Sequence, residues 1–316
     1  MSQSYSDSSG KNWIRLESYT DHLDKTTFQE EVVGGFSGLT KAPDGRIGAV
    51  SDRSVMFYLD AETLDPVQAI RLRDELRQRV DCEAVTIDQG NILIATEKPE
   101  ILRYDAAGKM LGILPMPSRY RVTPVGDARL NEVFEGMTLL DDFTLVASLE
   151  NSLLTDEKGL LRFQCWERSD ATAEFKPTTQ YCYQVEPGLL VSDIAATGDG
   201  RLLVLERGFD KATGNIVRLY LTDFTGVGDV SEIAELEAGA PVLPKQLLGD
   251  LADLPPSGAV AKQPQKNPLM QNYEAMAVTE HLADGSIRLL VASDDNDSEV
   301  QITRFLRLRI ELPDPA

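Results

Sequence analysis

The sequence predicts an all-β fold, a β-propeller, and three observations carry that expectation. One strand–turn–strand unit recurs five times along the 316 residues, the units beginning at Ser37, Glu83, Glu135, Asp193 and Glu274. Their spacings of 46, 52, 58 and 81 residues leave room for about four strands each, which is the period of propeller blades. The turns carry hairpin chemistry, with Asp44-Gly45, Gln89-Gly90, Asp199-Gly200 and Asp284-Gly285 set between apolar runs.

The elements follow in chain order. Residues 1–10 are Ser-rich and polar and read as a disordered start; 11–316 read as one domain. Trp13–Leu16 is a strand expected to complete the last blade and close the ring. Gly34–Leu39 and Val50–Arg53 form the first hairpin, with strands at Met56–Leu59 and Val67–Leu72 behind it. Asp81–Val85 and Ile94–Glu97 form the second, followed by Ile101–Tyr104 and Met110–Leu114. The stretch Phe134–Glu150, with a polar turn about midway, forms the third, with Leu160–Trp166 and Gln180–Val185 behind. Leu190–Ile194 and Leu203–Arg207 form the fourth, continued by Ile216–Leu221. Asn272–Met276 and Val291–Asn296 form the fifth, with Phe305–Ile310 outside. The stretch 231–270, rich in Pro, Gly and Ala, reads as a long loop or a degenerate blade, so the count is five blades with six open.

Each unit is an acid, an apolar strand, a turn, a second apolar strand and another acid. The pairs are Glu83 with Glu97, Glu135 with Glu150, Asp193 with Glu206 and Glu274 with Asp294, Ser37 and Asp52 being the variant. In a propeller the first strand of each blade lines the axis and the second returns beside it, so both acids emerge at one end. Glu83, Glu135, Asp193 and Glu274 then converge on the axis, and Asp52, Glu97, Glu150, Glu206 and Asp294 surround them, with Asp295 next in sequence. Carboxylates gathered this closely must share protons, bind cations or pair with basic groups. Arg53 and Arg207, each directly after an outer acid, are the pairing candidates. Ca²⁺ accepts six to eight oxygen ligands without strict geometry, and Asn131, Asn272 and Asn296 lie nearby in sequence. The competing structural reading is that the acids accept backbone N–H bonds and hold blades together.

The formal charge of −20 argues against nucleic acid and anionic membrane as partners. No apolar run approaches the ~20 residues of a membrane span. The first residues lack the order of a signal peptide, so the chain as written is expected in the cytoplasm, with its compartment left open. Its expected partner is a small anionic ligand, and the expected state is a monomer. Three cysteines make no disulfide framework, one bridge between Cys165 and Cys182 being open. Gly35-Phe36-Ser37-Gly38 approaches a nucleophile elbow but reads as a turn. Asp295–Glu299 lacks the glycine of an EF-hand loop.

The motif series Phe36-Ser37-Gly38-Leu39 with Ser51-Asp52-Arg53, Asp81-Cys82-Glu83-Ala84 with Thr96-Glu97, Asn131–Gly136 with Glu150, Ser192-Asp193 with Leu205-Glu206-Arg207-Gly208, and Asn272–Met276 with Ser293-Asp294-Asp295-Asn296 resembles the phytase-like family labelled "esterase-like activity of phytase". The closing Gln301–Phe305 fits as well, and the resemblance spans roughly residues 30 to 312. It implies a calcium-dependent propeller hydrolase of phosphoesters or related esters, and members that are often exported. Glu83, Glu135, Arg53 and Arg207 are the candidate catalytic residues. Arg53, Arg207, Asn131 and Asn296 are the candidates for binding substrate, and the acids of both rings for binding metal. A metal-free carboxylate-pair glycosidase and a non-catalytic propeller with structural calcium are the rival readings.

Overall fold

In a computed structural model that describes residues 12–315, five four-stranded antiparallel sheets are arranged as blades around an axis. The Ser-rich stretch 1–10 lies outside the described residues. The chain enters through β1 (Ile14–Thr20) and a small hairpin of β2 (Thr26–Phe28) and β3 (Glu31–Val33). Blade 1 is β4 (Phe36–Lys41), β5 (Ile47–Ser51), β6 (Val55–Leu59) and β7 (Pro66–Arg71). Blade 2 is β8 (Cys82–Asp88), β9 (Asn91–Thr96), β10 (Ile101–Tyr104) and β11 (Met110–Ile113). Blade 3 is β12 (Phe134–Leu139), β13 (Thr144–Leu149), β14 (Leu160–Glu167) and β15 (Lys176–Gln184). Blade 4 is β16 (Leu190–Ala196), β17 (Arg201–Asp210), β18 (Gly214–Asp223) and β19 (Lys245–Asp250). Blade 5 is β20 (Tyr273–His281), β21 (Ile287–Ser293) and β22 (Phe305–Ile310), with β1 added antiparallel to β22 from Ile14↔Ile310 to Thr20↔Phe305. The ring is therefore closed by the N-terminal strand.

The stretch 231–270 is neither a pure loop nor a blade. It supplies β19, the outer strand of blade 4, and it lacks a strong signal because an edge strand of six residues carries little apolar periodicity. The segment before β19 folds over blade 3, where buried Arg162 holds it. The guanidinium makes paired bonds of 2.7 and 2.8 Å to Asp156 and donates to the carbonyls of Val230 and Ile233. Cys165 and Cys182 do not bridge: all three cysteines are buried free thiols, and Cys182 lies opposite Arg162.

The inner strands β4, β8, β12, β16 and β20 pack against one another in order around the axis. Five apolar clusters fill the five spaces between blades, as between Val50, Met56 and Tyr58 of blade 1 and Val85, Ile92 and Ile94 of blade 2. Strands covered on both faces explain the unbroken apolar runs, such as fully buried Ile47–Ser51. The inner strands approach so closely that a Cβ on Gly136 would lie 2.6 Å from the Ile194 nitrogen, and one on Gly38 would lie 2.9 Å from that of Val85.

Candidate functional site

One local device builds the site. The pairing of first and second strands shifts register between Phe36 and Gly38, Cys82 and Ala84, Phe134 and Gly136, Val191 and Asp193, and Tyr273 and Ala275. Each shift is a β-bulge, which leaves one unpaired residue and re-aims its side chain. The bulged residues are Ser37, Glu83, Glu135, Ser192 and Glu274. Two residues earlier, a backbone carbonyl receives the N–H of the residue that ends the second strand. Asp52 donates to Gly35, Glu97 to Asp81, Glu150 to Val133 and Asp294 to Asn272, at 2.7–3.2 Å. This closes each hairpin with its two polar residues at the same end.

The device corrects the register of blade 4. Its axial residue is Ser192, and the outer position is taken by Arg207, paired opposite Leu190. The separation 192 to 207 matches the 15 residues of 37 to 52 and 135 to 150, whereas 193 to 206 gives 13. Asp193 therefore occupies the position held by Gly38, Ala84, Gly136 and Ala275. Its carboxylate accepts the N–H groups of Ile194 at 2.8 Å and Met276 at 2.6 Å, which ties blade 4 to blade 5. Burial pushes its pKa well above the carboxylate range, against the pull of those two bonds. Glu206 turns away from the axis and is fully buried, bonded to Tyr183 Oη at 2.6 Å, the Glu186 N–H at 2.9 Å and Lys245 Nζ at 2.7 Å. A slip of one residue sends a side chain to the other face, and that displaces both acids from the expected rings.

The remaining acids do converge. Carboxylate oxygens of Glu83, Glu97 and Glu135 lie within 4.8 Å of one another. Across the mouth, Arg207 reaches Glu274 at 2.9 Å and Glu150 at 3.3 Å, and Asn272 donates to Glu274 at 2.8 Å. Glu274 and Asp294 share a hydrogen bond, as do Glu83 and Glu97. Burial, reinforced by Glu97 and Asp81, raises the pKa of Glu83 to about 9. Burial raises Glu150 to about 7 despite Arg207, and burial with Glu274 raises Asp294 to about 7. Burial and the facing Asp294 raise Asp52 to about 6. Glu135, Glu97 and Glu274 are raised as well, each chiefly by burial. The guanidinium of Arg207 stays charged, because four surrounding acids outweigh the cost of its burial.

The periphery departs from the expected set. Asp295 is bonded by Lys25 at 2.6 Å, with Arg53 at 3.7 Å. Arg53 lies on the rim, paired mainly with Asp297 and standing 4.0 Å from Asp52. Asn131 and Asn296 are exposed in left-handed backbone conformations, and Asn296 donates to Gln301 at 2.9 Å. Two acids beyond the expected set act on the centre: Asp81 on Glu83 and Glu97, and Glu132 on Glu97 and Glu150. The signal for Asp81 was its place two residues before the bulge, which polar Asn272 shares in blade 5. Glu132 had no counterpart in the other units to mark it.

The donor set fits a hard cation. Ligand oxygens at 2.3–2.6 Å from Ca²⁺ lie at most about 5 Å apart, and the three clustered carboxylates meet that limit. Glu97 Oε1 is buried with no hydrogen-bond partner among the described residues.

Among solved structures, the chain is similar to Myxococcus xanthus glutaminyl cyclase, with 12% identity, TM-score 0.47, and coverage of 95% of this chain and 97% of that one. It is similar to Chaetomium thermophilum Raptor, with 12% identity, TM-score 0.37, and coverage of 87% and 20%. It is also similar to the β-propeller domain of Myceliophteria thermophila Cps50 (Swd1), with 10% identity, TM-score 0.39, and coverage of 88% and 84%. No curated protein matches it in sequence. The model of the phytase-like family described as esterase-like activity of phytase matches residues 31–297, which span all five bulged hairpins up to the outer acids of blade 5, and the chain belongs to that family.

Proposed function

We propose that the acidic end of the propeller is a calcium-dependent hydrolase site for phosphoesters or related esters. The observation that carries this reading is the approach of Glu83, Glu97 and Glu135 to within 4.8 Å of one another. These three residues would hold the ion, with Glu274, Asp294 and Asp52 across the mouth as further oxygen donors. A bound calcium would supply charge neutralisation and Lewis acidity for an anionic ester. Arg207, fixed between Glu150 and Glu274, would orient an ester oxyanion, while Arg53 steers anions from the rim. Asp193 and Glu206 hold the scaffold.

The test is a screen of phosphoesters, carboxyl esters and lactones with calcium and with EDTA. Turnover of one class with calcium, lost in EDTA and in Glu135→Gln, is the expected result. A calcium-dependent rise in melting temperature with every rate at background would replace this reading with a non-catalytic propeller. Turnover that survives EDTA would point to metal-free carboxylate chemistry instead.

A further inference from the structure

The β17–β18 hairpin has ten residues in each strand, whereas the second strands of the other blades end just before their outer acid. It continues past Arg207 without a register shift, pairing Gly208↔Ile216, Phe209↔Asn215 and Asp210↔Gly214. Side chains alternate along a strand, so Leu203, Leu205, Arg207 and Phe209 share a face. Leu203 and Leu205 belong to the core between blades 4 and 5, and Arg207 reaches Glu274 of blade 5. Phe209 stands about 7 Å further along the same face, beyond Arg207, and is 62% exposed. The hairpin is anchored: Asn215 N donates to Gln265 Oε1 and Lys266 N to the Thr213 carbonyl, both at 2.8 Å. Asn215, opposite Phe209, shares that face. It is 8% exposed, and its Nδ2 has no acceptor among the described residues. Arg207 Nε is likewise without an acceptor. Buried donors without acceptors are uncommon and costly, and here two of them share a face with an exposed aromatic ring.

We infer that this hairpin selects amphiphilic phosphomonoesters: Arg207 and Asn215 donate to phosphate oxygens, and Phe209 carries the apolar arm of the ester. Phosphate offers several acceptors for the two donors, and an arm leaving the mouth along β17 meets the ring. The inference rests on the hydrolase reading for the place of the ligand and names its substrate class.

The experiment is calorimetric binding of octyl phosphate and methyl phosphate to the calcium-loaded full chain. Octyl phosphate is expected to bind at least about tenfold tighter, the gain from two or so methylenes leaving water. Phe209→Ala should bring the ratio of the two affinities near one, and Phe209→Leu should restore most of it. Equal affinities in the natural protein, or a ratio that Phe209→Ala leaves intact, would overturn the inference. Hydrolysis of phosphoesters without any chain-length preference would also overturn it while leaving the hydrolase reading in place. A Phe209-dependent ratio without turnover of any ester would sustain it and remove the hydrolase reading.

Discussion

Raising the pH of the calcium-free protein perturbs the acidic end directly. Glu83 is raised from 4.5 to about 9, Glu150 from 4.5 to about 7 and Asp294 from 3.8 to about 7, in each case first by burial. A carboxyl that holds its proton more tightly when folded contributes stability that is fully present below its unfolded pKa. That contribution is lost as the pH climbs toward the folded value. The window therefore opens near pH 3.8 for Asp294 and 4.5 for the two glutamates and extends to about 9, with the Glu150 and Asp294 contributions gone by about pH 7. One pKa unit is worth about 1.4 kcal/mol, so Glu150 alone accounts for roughly 3 kcal/mol. Glu274 and Asp294 share a proton and do not add independently. A loss of roughly 3 kcal/mol from Glu150 alone is already a large part of the roughly 5–15 kcal/mol that stabilises an ordinary domain. Urea denaturation in chelator at steps between about pH 5 and 9 should show stability falling steadily, and saturating calcium should flatten the curve by replacing the protons. Glu83→Gln should raise the calcium-free stability at about pH 8 and weaken the stabilisation by calcium. Calcium-free stability that is constant or rising across this range would refute the account.

Asp193→Asn leaves one of two backbone N–H groups facing an amide donor, so it should cost about 1–3 kcal/mol with calcium affinity unchanged; lost calcium affinity at native stability would return Asp193 to the ligand set. Arg162→Ala strands buried Asp156 and frees the segment over blade 3, and urea melts should show a loss of about 3–5 kcal/mol; a change below ~1 kcal/mol would mean the ion pair is not what holds that segment.

The repeat was legible because its signals are local. Asp-Gly turns, apolar runs and the strand at Trp13 each depend on neighbours in the chain, and Asp44, Asp199 and Asp284 do cap their turns by accepting the N–H two residues on, at 3.1–3.2 Å. Residues 245–250 were not legible as a strand, since an edge strand is defined by its partner β18 more than by its own pattern. The pairing of Arg207 with Glu150 and Glu274 joins three blades. Adjacency to an acid in sequence made Arg207 a candidate, yet its partners are 57 and 67 residues away rather than its neighbour Glu206.

The sequence by itself determined the all-β repeat, the closure of the ring by the first strand and the end at which the polar residues gather, because strand period and turn chemistry dictate which end a hairpin opens. Only the tertiary structure decided which acids reach the axis. A bulge adds one residue to one strand, and in blade 4 that residue is Ser192, so Asp193 faces two backbone N–H groups and Glu206 faces Lys245 and Tyr183. One-residue register leaves almost no trace in composition or spacing, yet it sets the side of the sheet on which every charge lies.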